Sequence, residues 1–296
     1  MTKPAIGFIG LGLMGSAMVE RLQSQGHSLT VIANKSRENV DAAVARGATE
    51  VGTGRDVAEA CDVVMLCVGT SAQVESRMRG PEGVIAGLRE GAVVIDFGTS
   101  LPGSTRKLAE EVAAAGGAYL DAPLGRTPMH ARDGLLNIMG AGDKAAFDKV
   151  RPVLDDLGEN VFHLGASGTG HVIKLINNFC AQCMSNAFAE AFAMADRTGV
   201  DRQAVYDVMS AGPVASAMLG FIKAYAVEGN PDMLAFSVRN AAKDVGYYRQ
   251  MAEDAGVKSF MAKGAMQALE EAISMGRGDT LVPEQVDFFA RKFESG

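Results

Sequence analysis

The chain contains no tryptophan, only four cysteines among its 296 residues, and no excess of positive charge. Lys and Arg total 28 against 35 Asp and Glu, and the resulting net charge of −7 argues against a surface for nucleic acid. No stretch reaches the roughly 20 consecutive apolar residues that a membrane helix needs. The N-terminus also lacks the basic region and apolar segment of an export signal. We therefore expect a cytoplasmic protein that binds neither nucleic acid nor membranes.

The cysteines and histidines show no spacing typical of a disulfide framework or a metal site. Cys61, Cys67, Cys180 and Cys183 all lie in apolar runs. The last two are separated by two residues, but they fall within a helical pattern instead of the strand-to-helix turn of a redox motif. We expect packed, reduced thiols and no bound metal.

Up to residue 164, short apolar runs alternate with helix-like segments. The runs are rich in β-branched residues and nearly continuous, which is typical of parallel strands buried on both faces. Segments such as 15–25 and 105–115 would supply the crossover helices between them. The predicted strands are residues 5–9, 29–33, 62–68 and 92–96, with runs at 118–121, 135–139 and 161–164 expected to extend the same sheet. This pattern predicts an α/β fold, with a doubly wound Rossmann sheet for dinucleotide binding in residues 1–164.

After residue 164 the strand-like runs disappear and helical spacing continues to the end. Apolar residues recur every three or four positions from Thr169 to Thr198, which predicts one inter-domain helix about 45 Å long. We therefore expect an all-α domain in residues 165–296 for substrate binding and oligomerisation. The broad apolar surface of the helix favours a homodimer or a homotetramer.

Three glycines follow the first predicted strand at the spacing of a dinucleotide fingerprint. Gly10 permits a tight turn, Gly12 lets the backbone approach a pyrophosphate, and Gly15 allows close packing of the following helix. The residues predicted to bind the cofactor are Gly10, Leu11, Gly12, Leu13, Met14 and Gly15 in this loop, together with Cys67, Val68, Gly69 and Thr99 at or just after the ends of later strands.

The end of the second strand predicts which cofactor is used. An NAD-preferring fold usually has an acidic residue here for the ribose 2′-hydroxyl, whereas this chain has Asn34, Lys35, Ser36 and Arg37. Two cations and two small polar side chains suit a 2′-phosphate, which favours NADP over NAD. The alternative is that both cations are solvated loop charges.

Two further segments indicate a reaction. Lys174 and Asn178 stand one helical turn apart, so that an ammonium and an amide could converge on one carbonyl oxygen. Gly125, Arg126 and Thr127 follow a predicted strand end, where doubly wound sheets open their ligand crevice. Arg126 offers a planar fork for an anionic substrate, although it could instead meet a surface carboxylate.

These segments resemble the β-hydroxyacid dehydrogenase family, of the 3-hydroxyisobutyrate dehydrogenase type. The glycine loop, the Asp121-Ala-Pro segment and the helix with Lys174 and Asn178 occur in the family's order and spacing. The resemblance implies interconversion of a small β-hydroxyacid and its semialdehyde with NAD(P), with Lys174 as general acid or base and Asn178 orienting the lysine or the substrate. It also implies that Lys243 approaches both the nicotinamide and the substrate.

One departure from the common family pattern concerns the substrate. Where many members have Ser-Gly-Gly, this chain has Gly-Arg-Thr, which resembles the branch that includes sulfolactaldehyde reductase. Arg126, helped by Asn177, would then bind the anionic head group. That branch has a serine where Ala181 stands here, so both a sulfonate and a carboxylate remain open.

Two other functions remain as alternatives. Imine reductases share the glycine loop and the architecture but generally replace the family lysine. A non-catalytic nucleotide-binding scaffold is the other, since some relatives lose the lysine. Lys174 argues against both.

Overall fold

A computed structural model describes residues 3–34 and 37–295 of the chain. It divides into two compact units, Met1–Lys174 and Leu175–Gly296. Each unit has its own hydrophobic core among the described residues.

A six-stranded parallel sheet in the order β3-β2-β1-β4-β5-β6 organises the first unit. Every residue of the central strand β4 is buried, as the near-continuous apolar run predicted. The order is that of a Rossmann fold and confirms the predicted fold class. The strands are β1 (Ile6–Ile9), β2 (Leu29–Ile32), β3 (Thr49–Val51), β4 (Val63–Leu66), β5 (Val93–Asp96) and β6 (Ala118–Asp121).

Helices cover both faces of this sheet. Alternate residues of a strand point to opposite faces, so Val63 and Met65 join the core that includes residues of α1. Val64 and Leu66 join the core that includes residues of α3 and α5. The helices of the unit are α1 (Leu13–Ser24), α2 (Glu38–Ala45), α3 (Gly54–Ala60), α4 (Ser71–Met78), α5 (Pro102–Ala114), α6 (Pro128–Asp133) and α7 (Lys144–Leu157).

A second, three-stranded sheet corrects part of the prediction. The run at 118–121 does extend the main sheet as β6, but the runs at 135–139 and 161–164 do not. They form β8 (Leu136–Gly140) and β9 (Gly158–His163), which pair in parallel, while β7 (Leu124–Gly125) pairs antiparallel with β8. The two sheets meet at an isolated antiparallel bridge between Asp121 and Ala141.

The second unit is entirely helical, as predicted. Helix α8 spans Thr169–Thr198, the predicted bounds, and ends before Gly199, whose φ of 72° is typical of a residue that terminates a helix. Its later turns pack in a core with side chains of the following helices. Those are α9 (Arg202–Ser210), α10 (Ala217–Ala226), α11 (Val238–Asp254), α12 (Met261–Ala272) and α13 (Gln285–Ser295). Across the described residues, none of the helices combines the length and hydropathy required for a membrane span.

The first turns of α8 pack within the first unit. A Cβ atom added at Gly170 would lie 2.3 Å from the carbonyl oxygen of Met139 and 2.8 Å from a carboxylate oxygen of Asp121. The division by compactness therefore follows Lys174, whereas the boundary predicted from the sequence lies between residues 164 and 165.

The thiols are only partly as expected. All four cysteines are free, and Cys61 is buried, but Cys67 and Cys183 are half-buried and Cys180 is exposed. The prediction of a packed thiol is therefore wrong for Cys180, which lies on α8 but is not part of the core that contains Phe188 and Phe192.

Candidate functional site

The glycine loop between β1 and α1 has the geometry that phosphate binding requires. Gly10 has φ of 102°, and a Cβ there would lie 2.3 Å from the carbonyl oxygen of Cys67. At Gly15 a Cβ would lie 2.0 Å from the carbonyl oxygen of Gly10, so the helix approaches the loop as only glycine allows. At Gly12, by contrast, no described heavy atom lies within 4 Å of an added Cβ. A ligand can therefore reach the backbone at the start of α1.

A groove with a volume of about 710 Å³ begins at this loop. Seven of the predicted cofactor residues line it: Gly10, Leu11, Gly12, Asn34, Cys67, Val68 and Gly69. Leu13, Met14, Gly15, Arg37 and Thr99 lie outside the lining of the groove, and the predicted Lys35 and Ser36 lie outside the described residues. Burial raises the pKa of the Cys67 thiol to about 12, which favours the thiol over the nucleophilic thiolate at neutral pH.

Arg37 is held by carboxylates. Its guanidinium donates to Asp41 at 2.9 Å and to both oxygens of Glu50 at 3.1 and 2.9 Å. Hydrogen bonds to Glu50 and then to Asp41 raise the pKa of Arg37. A cation that sequence reasoning missed, Arg77 in α4, lines the groove and donates to Asn34 Oδ1 at 3.2 Å.

The segment after β6 holds the start of α8. Asp121 accepts hydrogen bonds from the backbone amides of Gly168 at 2.8 Å and His171 at 3.0 Å. The Lys174 ammonium donates to the carbonyl oxygen of Leu124 at 2.7 Å. Lys174 therefore lies beside the chain just before Gly125.

A buried polar network supports the same helix start. His171 is fully buried, and its Nδ1 lies 2.7 Å from the hydroxyl of Thr105 in α5. Its Nε2 lies 3.8 Å from a carboxylate oxygen of Asp96, the last residue of β5. These contacts connect the first turn of α8 to both α5 and the main sheet.

The predicted anion-binding segment follows Leu124. Arg126 has φ of 77°, and its Nη1 donates to the carbonyl oxygen of Leu135 at 2.6 Å and lies 2.5 Å from a carboxylate oxygen of Glu159. The hydroxyl of Thr127 lies 2.7 Å from Nδ1 of His130. Arg126 thus meets a carboxylate, which was the alternative left open by the sequence.

Within the second unit, three of the predicted polar residues are connected to Asp244, two directly and one through a neighbour. Asn178 donates to Asp244 Oδ2 at 2.6 Å, and the Lys243 ammonium lies 3.0 Å from Oδ1. Asn177 donates in turn to Asn178 Oδ1 at 3.2 Å. Asp244 is 2% exposed. One signal of this role was present in the sequence, because Asp244 directly follows Lys243.

Comparison with known proteins covers both parts of the chain. Residues 5–165 match the NAD binding domain of 6-phosphogluconate dehydrogenase, and residues 168–285 match the NAD-binding region of NADP-dependent 3-hydroxyisobutyrate dehydrogenase. The chain is 32% identical over 275 residues to 2-(hydroxymethyl)glutarate dehydrogenase of Eubacterium barkeri, covering 92% of this chain and 90% of that protein. It is 34% identical over 214 residues to 2-hydroxy-3-oxopropionate reductase of Escherichia coli, covering 72% and 73%.

The fold comparison agrees with these matches. The structure of 3-hydroxyisobutyrate dehydrogenase from Mycobacterium tuberculosis, solved with L-serine, superposes with a TM-score of 0.84. The superposition covers 97% of this chain and 99% of that one at 22% identity. The two proteins therefore share one fold.

Proposed function

This chain belongs to the NAD(P)-dependent β-hydroxyacid dehydrogenase family, of the 3-hydroxyisobutyrate dehydrogenase type, and we propose that it reduces a short anionic semialdehyde with NADPH. The observation that carries the proposal is the hydrogen bond between the Lys174 ammonium and the carbonyl oxygen of Leu124. It keeps a proton donor next to the Gly125–Thr127 segment, which supplies the candidate anion-binding group.

The first unit offers a fitting site for the cofactor. The groove of about 710 Å³ begins at the open backbone of Gly12, where helix N-terminal amides are available to a pyrophosphate. When bound there, NADPH supplies the hydride that reduces the carbonyl carbon of the substrate.

Lys174 serves as the general acid in this proposal. As negative charge develops on the carbonyl oxygen, the ammonium donates a proton to it, and the carbonyl of Leu124 keeps the side chain in place. Asn178 assists from the same helix. Its amide nitrogen is committed to Asp244, which fixes the orientation of the amide and turns Oδ1 towards donors such as the neighbouring Asn177. In the reverse direction Lys174 acts as the base.

Arg126 binds the anionic head group in this proposal. A guanidinium has five N–H donors, and the contacts of Arg126 with Leu135 and Glu159 in the described residues both involve Nη1. The remaining donors suit either a carboxylate or a sulfonate. Gly-Arg-Thr favours the sulfolactaldehyde reductase-like branch, whereas Ala181 in place of a serine leaves a carboxylate equally suitable.

A panel of substrates tests the function. The purified chain should oxidise NADPH with at least one of sulfolactaldehyde, tartronate semialdehyde and methylmalonate semialdehyde, and more slowly with a neutral aldehyde of the same length. The same panel with NADH measures the cofactor preference. Absence of turnover with every aldehyde and both cofactors, despite measurable NADPH binding, would contradict the proposal and favour a nucleotide-binding scaffold.

A further inference from the structure

Arg77 is a half-buried cation whose charge no carboxylate balances in the part of the chain that the structure describes. Its only hydrogen bond there is to the neutral amide oxygen of Asn34. Arg79, two residues later, is bound by Glu75 at 2.7 Å and by both oxygens of Glu111. Since partial burial of an unpaired charge costs free energy, the environment of Arg77 is typical of an anion-binding group.

Its location indicates which anion. Asn34 follows β2, and this is where doubly wound folds bind the adenosine ribose of a dinucleotide. The guanidinium of Arg77 lies 3.2 Å from Asn34 Oδ1, and both residues line the groove that starts at the glycine loop. Ser76 and Gln73, also on α4, line the same groove and add further polar side chains to it.

Of the two cations first expected at this position, Lys35 lies outside the described residues and Arg37 is engaged elsewhere. Arg37 pairs with Asp41 and Glu50, two surface carboxylates, and lies outside the lining of the groove. Arg77 enters the groove from a different element, the last turn of α4.

We propose that Arg77 binds the 2′-phosphate of NADP, with Asn34 orienting its guanidinium, and that this contact determines the preference for NADP over NAD. The proposal rests on the cofactor site of the proposed function and is independent of the substrate. Two different roles for Arg77 lead to different results: stacking on the adenine ring would affect both cofactors, and stabilising the C-terminus of α4 would affect folding alone.

Equilibrium binding distinguishes these roles without any turnover. Titrations of NADPH and NADH, followed by nucleotide fluorescence, would be carried out on the wild type, Arg77→Ala and Arg77→Lys. The control is Arg55→Ala, which removes an exposed arginine paired with Glu59 on α3. We expect Arg77→Ala to raise the Kd of NADPH about 10- to 100-fold, the usual effect of losing a charge-assisted contact, and the Kd of NADH less than about threefold. The Kd of NADPH for Arg77→Lys should lie between those of the wild type and Arg77→Ala. Arg55→Ala should bind both cofactors as the wild type does.

Competition with adenosine 2′-monophosphate locates the contact. The inhibition constant of adenosine 2′-monophosphate against NADPH should be at least about tenfold higher for Arg77→Ala than for the wild type. Equal losses for NADPH and NADH, or no loss for either with an unchanged melting temperature, would overturn the proposal. A wild type that binds NADPH selectively through Arg77 but reduces none of the aldehydes would refute the proposed function alone.

Discussion

Arg126 combines two features that are uncommon in one residue. Its φ of 77° lies in the left-handed region that non-glycine side chains rarely adopt, and its guanidinium contacts a carboxylate that would compete with an anionic substrate. The side chain contacts the carbonyl oxygen of Leu135 and the carboxylate of Glu159. Glu159 is half exposed, so substrate can replace it at modest cost.

Replacing Glu159 by glutamine tests this competition. We expect the KM for the anionic semialdehyde to fall about two- to fivefold with kcat unchanged, because an exposed ion pair contributes at most about 1 kcal/mol. The KM for a neutral aldehyde should not change. Steady-state rates at low ionic strength provide the measurement, and Glu20→Gln, which removes an exposed pair with Arg132, is the control. An equal or higher KM for the anionic substrate would contradict this role for Glu159.

For single residues, the sequence predicted which side chains could bind anions better than it predicted which residues those side chains contact. Arg37 and Arg126 were recognised as candidate anion-binding groups, but their carboxylate partners include Glu50 and Glu159, which lie far along the chain. Such pairs depend on the tertiary fold. Arg77 was missed because the dinucleotide pattern concerns the end of β2, whereas Arg77 lies on α4 and contacts Asn34 only in the folded chain.

Helix α8 is the element on which the proposed chemistry depends. The first amides of a helix have no partners within it, and Asp121 accepts from the amide of His171 in the first turn and from that of Gly168 just before the helix. Asp121 thus acts as a cap supplied by a distant strand. Since Lys174 follows one turn after His171, the cap also determines where the ammonium lies.

We expect Asp121→Asn to cost about 1–3 kcal/mol of unfolding free energy, because an amide nitrogen replaces one of the two accepting oxygens in a buried site. It should also lower kcat/KM about tenfold or more, since a displacement of the first turn moves Lys174. Urea unfolding and steady-state kinetics measure the two effects. Asp143→Ala is the control, because it removes the cap that Asp143 gives α7 through the amide of Ala146 at 2.8 Å, and it should reduce stability without lowering kcat/KM. Equal kinetic losses in both variants would contradict a positioning role for Asp121.

Helices and strands with a regular spacing of apolar residues were predicted well, whereas very short strands were not. The 30 residues of α8 and the buried parallel strands followed directly from apolar spacing. Strand β3 has only three residues, two of them exposed, and β7 has two. The runs that became β8 and β9 were assigned to the wrong sheet, because a strand pattern does not specify its neighbour.

At the scale of the whole molecule, a chain with a net charge of −7 is proposed to bind two anions, the cofactor and the substrate. General electrostatic attraction cannot account for this. The amides at the start of α1 together with Arg77 and Arg126 are local sites that can. Assembly as a homodimer or homotetramer stays a prediction, and sedimentation of the purified chain would determine it.

The central claim is that Lys174 gives the proton, and kinetics of Lys174→Ala test it most directly, with NADPH binding measured alongside. We predict that kcat/KM for the best semialdehyde falls about 10²- to 10⁴-fold while the Kd of NADPH stays within about twofold of the wild type. Added ethylammonium should restore part of the lost rate, whereas a quaternary ammonium of similar size, which has no proton to give, should not. Wild-type turnover by Lys174→Ala, with cofactor binding unchanged, would contradict the account.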